Sequence, residues 1–299
     1  MQDEPLTARV SDETRRKYQE ILEDVGQIPT LPTIVAKALE IIDDPTARAE
    51  QLGSLLSQDP ALSVKVLRLA NSAFYGIPRT ISSINQAVII LGFNTLRSLV
   101  LSATVFKLFG GAGSGLDRGR FWKHSVSAAM ATRVLARKVA RVHSVNIEAA
   151  FMAGLLHKIG ILIFEMVASK PHAAVLARAE EGEASLAELE VLEFGLHYAQ
   201  LGGMLAERWE LPEELQQPIV CHIVPSQSEE WDIQAALVHA GAFLADQCGS
   251  SLLDKGIPFP LDSGVLELLQ IPPESLPSLL DELRPELAAA DAFFSLVQG

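Results

Sequence analysis

Cysteine, basic charge and long apolar runs are all scarce in this chain, and each scarcity removes a class of protein. Only Cys221 and Cys248 occur in 299 residues. Two cysteines cannot build a disulfide scaffold, and neither lies in the C-x-x-C spacing that zinc or redox chemistry uses. Lysine and arginine number 24 against 37 aspartates and glutamates, a formal net charge of −13. That balance argues against a general nucleic-acid binder, whose affinity would come from cations on phosphates. The N-terminal MQDEPLTARVSDETRRKY holds no apolar stretch of signal-peptide length, and no uninterrupted run nears the ~18 apolar residues of a membrane span. A cytoplasmic protein without membrane or DNA partners is the expectation.

What is present points to a globular helical protein. Apolar residues make up 48% of the chain, enough to exclude intrinsic disorder. One body of this mass buries about three quarters of its unfolded surface. The charge is unevenly placed: residues 1–170 carry 20 basic and 15 acidic side chains, whereas residues 171–299 carry 4 and 22. A mildly basic first part and an acidic second part favour attraction between lobes or subunits, and leave the basic side open to an anionic ligand or acidic partner.

Nearly every periodic segment reads as helix, and an all-α architecture in two lobes follows. Thr33 is placed to cap a helix through Ile41 and Ile42. Asp59-Pro60 supplies an N-cap followed by proline at the first helical position. Ser83-Ile84-Asn85-Gln86 has capping-box spacing, and AVIILG after it is read as helix because no partner strand occurs elsewhere. GGAGSG at 110–115 lacks the Lys-Ser/Thr of a phosphate-binding loop and is read as a linker at a lobe boundary. Helices are then expected over 117–142 and 146–157, from Ser185, from Pro212, and over 232–248. The proline-rich 251–299 is expected to hold short helices until its last turns. The leader, 1–25, places Tyr18, Ile21, Leu22 and Val25 on one face, fit to pack on the body or on a second subunit in a homo-oligomer.

Histidines are the candidate chemical groups. At 100° per residue His124 shares a helix face with Ala128, Ala131, Leu135 and Val139, so it points inward. His157 lies in an apolar stretch and is expected to be buried. Two inward imidazoles on successive helices can share a metal, or each can be a core ring hydrogen-bonded to a neighbour. Arg133, Arg137 and Arg141, with Lys138, form a stripe on the opposite side, either a solvated face or an anion site. Cys221 and His222 are adjacent and so about 100° apart on a helix, which disfavours a nucleophile–base pair and favours a packed cysteine. The cluster Asn71–Gly76 reads as a docking surface or, more simply, as a helix end packed into the core.

The segments LPTIVAKALEII (31–42), DPALSVKVLRLANSAFYG (59–76), SINQAVIILG (83–92), AAFMAGLLHKIG (149–160), FGLHYAQLGGMLAERWELP (194–212) and ALVHAGAFLAD (236–246), in this order, resemble the HDOD family. These HD-related output domains are bacterial signalling modules. The resemblance covers about 26–250 and implies an N-terminal lobe (26–109), the linker (110–116) and an HD-like helical bundle (117–250). The parent HD superfamily consists of metal-dependent phosphohydrolases with a His, a His-Asp doublet and a downstream Asp as ligands. By position His124 and His157 match the histidines. Lys158 stands where the doublet Asp is expected, and the downstream Asp position falls near Ala242. The resemblance therefore implies vestigial ligand positions, no cofactor and no catalysis.

His197, His222 and His239 are the residues available to rebuild a site. Lys158, with the arginine stripe, is the candidate for holding an anionic nucleotide. The expected function is a regulatory module contacting other signalling proteins or gated by a ligand; the alternative is a residual phosphohydrolase acting on a nucleotide or cyclic dinucleotide.

Overall fold

The computed structural model describes residues 12–298 apart from 25, 27, 111–114 and 228–231, and contains no strand among them. The expected glycine linker thus falls largely outside the described residues, as does Val25 of the leader. The helices in chain order are α1 (Asp12–Asp24), α2 (Thr33–Asp43), α3 (Ala49–Leu56), α4 (Pro60–Ala70), α5 (Ile84–Phe109), α6 (Arg118–Val139), α7 (Ile147–Leu156), α8 (Ile159–Val167), α9 (Ser169–Glu180), α10 (Leu186–Phe194), α11 (Tyr198–Arg208), α12 (Glu213–Cys221), α13 (Ile233–Gln247), α14 (Ser263–Leu268) and α15 (Leu276–Gln298).

Local chemistry sets most of these boundaries. The side chains of Asp59, Ser83, Asp117, Asn146, Ser185 and Asp232 each accept a backbone N–H in the first turn of the helix they open. Thr33 does not cap: it is the first residue of α2, and Pro32 precedes it without a side-chain bond. The AVIILG segment is helical within α5, which breaks at Gly92, where φ is +81°. The proline-rich tail is less fragmented than its composition suggests, because α15 runs on through Pro285.

The largest core runs from Ile21 to Leu252 through both halves of the chain. In the second half α6, α7 and α13 pack together, α8 lies on α11, and α12 closes against α7 and α11. The α15 helix returns to the first half, touching α4, α5 and α6, and buries Leu279 and Leu283. The leader helix packs on α10 through Ile21, with Lys17 paired to Glu193. Two segments, Ile84–Phe109 and Ile147–Val167, are long and apolar enough to cross a membrane when occasional polar residues are allowed. Their apolar windows are 61% and 89% buried inside the protein, so the core already uses those surfaces.

The contact of α8 with α11 depends on glycine. A Cβ on Gly160 would stand 1.8 Å from the Tyr198 carbonyl oxygen. Backbone, not a flexible side chain, would have to yield. Gly160→Ala is therefore expected to cost about 3 kcal/mol, the upper range of core overpacking, read as a lowered midpoint in urea denaturation. An unchanged midpoint would mean the helices can separate freely.

Candidate functional site

Four imidazoles converge between α6, α7, α12 and α13. His124, His157, His222 and His239 are all buried. Helix periodicity accounts for His124, which faces inward from α6. His157 follows the last turn of α7 and His222 the last turn of α12. In each ring Nδ1 lies against a backbone carbonyl: His124 on Ser250 (2.7 Å), His157 on Gly154 (2.7 Å), His222 on Ile219 (2.9 Å) and His239 on His222 (2.7 Å). A carbonyl only accepts, so this network assigns a hydrogen to every Nδ1.

The Nε2 atoms then differ in what they meet. His239 Nε2 accepts the backbone N–H of Asp262 at 2.9 Å. His222 Nε2 is buried without a hydrogen-bond partner. The Nε2 atoms of His124 and His157 face each other at 3.3 Å. With both hydrogens on Nδ1, two lone pairs oppose each other there. Asp246 Oδ1 lies 3.2 Å from His124 Nδ1 and opposes the burial that lowers the pKa of that ring.

Charge in this interior is sparse and buried. Burial lowers the pKa of His157 well below its ordinary value, and neighbouring His222, His124 and Lys158 push the same way. Burial likewise depresses His222. His124 is lowered by burial and by Lys158, with Asp246 opposing. For Asp246 burial acts to raise the pKa, but His124 and Lys158 outweigh it and keep the carboxyl below its usual range. Lys158 is only 6% exposed, and burial lowers its pKa against the pull of Asp246 and Glu190. It does not reach solvent from the helix end, as its position in the sequence suggests; its ammonium sits 5.7 Å from the Phe259 ring centre.

The structure does not gather the proposed anion site. Arg133 lies nine residues beyond His124 on α6, half a turn around the axis. It is buried rather than solvated, paired with Glu148 at 3.0 Å and laid over the Phe74 ring at 4.2 Å. Arg137 is exposed on the next turn, and Arg141 is exposed beyond the helix, because α6 ends at Val139 rather than at the expected 142. None of the three joins Lys158. His197 is half-buried, its pKa pushed down to about 4 by burial, and Cys221 is half-buried rather than packed in the core.

Sequence reasoning missed Asp246. It ends the very segment in which Ala242 fills the expected acidic position, and lies one turn further along the same face of α13. Helical spacing alone was enough to find it. Also missed was His172, fully buried, whose Nε2 bonds the buried Glu190 at 2.9 Å; Glu190 in turn accepts the backbone N–H of Tyr198 at 2.7 Å.

A hydrolytic divalent cation does not fit these residues. Such an ion takes carboxylate oxygens and a bound water. Here Lys158 and Ala242 replace two carboxylates, and Asp246 approaches the Nδ1 side of His124 rather than the meeting point of the Nε2 atoms. Among the described residues no group of three or more His, Cys, Asp or Glu side chains converges to hold a metal.

Comparison with known proteins places this geometry in context. The family model for the HDOD domain matches residues 28–225. An uncharacterized protein of Treponema pallidum is 26% identical over 235 residues, which are 76% of this chain and 44% of that protein, so the chain spans less than half of its length. A solved HDOD domain protein of unknown function from Geobacter sulfurreducens superposes with a TM-score of 0.68 at 27% identity, covering 95% of this chain and 96% of that one. A Shewanella amazonensis structure provisionally named a phosphohydrolase gives 0.74 at 25% identity, covering 93% and 98%.

Proposed function

The chain belongs to the HDOD domain family, and from that premise we propose that it is a non-catalytic signalling module whose output is a contact with another protein. The observation that carries this reading is Lys158. An ammonium beside His157, where metal chemistry would require a carboxylate, repels the cation that hydrolysis needs. The chain itself meets several of the chamber's polar groups: carbonyls take the Nδ1 hydrogens, and the Asp262 N–H fills His239.

The competing reading is a residual phosphohydrolase. Asp246 favours it, because it returns one carboxylate to the His124 end of the site. The Shewanella relative's provisional name points the same way. Elemental analysis of protein purified without chelator, followed by turnover assays on cyclic dinucleotides and (p)ppGpp with Mn²⁺, separates the two. A regulatory module is expected to carry far less than one metal per chain and to leave each nucleotide intact. Stoichiometric metal, with turnover abolished in His157→Ala, would establish the phosphohydrolase instead.

A further inference from the structure

The histidine chamber is closed by a stretch of the chain's own C-terminal region. After α13 the backbone crosses the chamber from Ser250 to Asp262 before α14 begins. Ser250 O takes the hydrogen of His124 Nδ1, and the Ser250 hydroxyl meets Ser127 at 3.0 Å. Phe259 lays its ring 4.9 Å from His239 and 5.7 Å from the Lys158 ammonium, and its N–H reaches Asp246 at 3.4 Å. Asp262 N–H ends the crossing on His239. Outside the chamber, Glu180 accepts the N–H groups of Asp254 and Lys255 at 2.9 and 3.1 Å, and Arg120 pairs with Asp254 at 2.5 Å.

Beyond Leu252, which joins the main core, this strap is held like a bound peptide. None of residues 253–260 is fully buried, and residues 251–261 make no backbone-to-backbone hydrogen bond among the described residues. Pro258 and Pro260 flank the ring, and proline has no N–H to donate and a preset φ, so this stretch stays extended at little entropic cost. Segments with few buried contacts and no ladder open long before the fold does. Beneath it Lys158 is almost fully buried, and its ammonium is drawn by the carboxylates of Asp246 and Glu190. The face of Phe259 lies 5.7 Å from it, an attraction any aromatic ring offers.

We propose that the strap is a cis-bound occupant of a peptide-docking chamber, and that the partner is a protein presenting an extended segment with one aromatic side chain between prolines. Lys158 and His239 receive the ring, Asp246 and His239 receive backbone N–H groups, and His124 offers its Nδ1–H to a carbonyl. The proposal rests on the reading of this chain as a protein-contact module, but its test does not use metal or turnover. The chamber binds in trans only when the tethered strap, present at high effective concentration, has lifted.

The test uses the full chain and a fluorescein-labelled peptide of residues 252–264, LLDKGIPFPLDSG, followed by anisotropy. Wild-type protein is expected to bind it weakly, because the strap competes. Phe259→Ala, which empties the ring position, and Glu180→Ala, which releases the strap from outside the chamber, are each expected to bind at least about ten-fold more tightly. A peptide carrying alanine in place of its phenylalanine is expected to lose that gain. Thermal melts identify a variant that fails to fold, and Glu180→Ala leaves every chamber residue in place. Equal binding by wild type and the folded variants, or equal binding of the two peptides, would overturn the proposal. Those results would stand whatever the metal and nucleotide assays show.

Discussion

Acidification from pH 7.5 to 5.5 is expected to destabilise this protein steeply, and His157 and His222 are the main cause. Both are held neutral by burial, with pKa values well below the ordinary 6.5. In the unfolded chain they take up protons near pH 6.5. Their contribution to stability is therefore complete above pH 6.5 and is lost as the pH falls toward the folded-state values. Below pH 6.5 each proton of difference is worth up to about 1.4 kcal/mol per pH unit, so between pH 7.5 and 5.5 the two together remove about 3 kcal/mol. Against a total of about 5–15 kcal/mol for a typical domain, that loss, nearly all of it below pH 6.5, is a substantial share of the margin.

Other groups modify the slope without reversing it. His197, lowered to about 4, and His239 act in the same direction. Glu148 and Glu190 oppose it, because burial raises both and such carboxyls favour the folded state at low pH. Urea denaturation at pH 7.5, 6.5 and 5.5 measures the net slope. His222→Asn, which keeps a donor for the Ile219 carbonyl, isolates one proton and should flatten the slope by about 1.4 kcal/mol per unit. A variant slope equal to wild type would place the protons elsewhere.

The helices were legible in the sequence because caps and periodicity are local. Asp59, Ser83, Asn146 and Ser185 open their helices where their side chains predict. The inward direction of His124 followed from 100° of arc per residue. What periodicity could not give was the partner across the gap. Lys158 at a helix start looks like a side chain free to reach water; it is buried instead, with Phe259 arriving beside it from 101 residues later. Arg133 misled for the same reason. By helical spacing alone it falls in a polar stripe with Arg137 and Arg141, and nothing local says that Glu148 and the Phe74 ring come to meet it. Asp246 was within reach of local reasoning, but attention to the expected position near Ala242 passed over the residue one turn on.

Arg133 carries the second large expectation. Its side chain and that of Glu148 are 9% and 15% exposed, joined at 3.0 Å. The guanidinium also lies over Phe74, with Tyr75 beyond it at 5.3 Å, so α6, α7 and the turn after α4 meet at one cation. Arg133→Ala removes the cation and leaves Glu148 buried and unpaired, the circumstance in which breaking an ion pair costs about 3–5 kcal/mol. The double variant Arg133→Met, Glu148→Gln removes both charges and should recover most of that loss.

The pH dependence of the single variant separates charge from packing. Burial raises the Glu148 pKa, and Arg133 is the first influence that lowers it. Without Arg133 the folded pKa rises further above the unfolded one. The variant's deficit relative to wild type is then largest at high pH and shrinks as the pH falls through that value, because a neutral carboxyl is cheaper to bury. Urea denaturation of both proteins at pH 8 and pH 5 reads the difference. A deficit that stays constant across this range would assign the loss to the missing stack on Phe74. A deficit that shrinks identifies the buried carboxylate as the group Arg133 is there to neutralise.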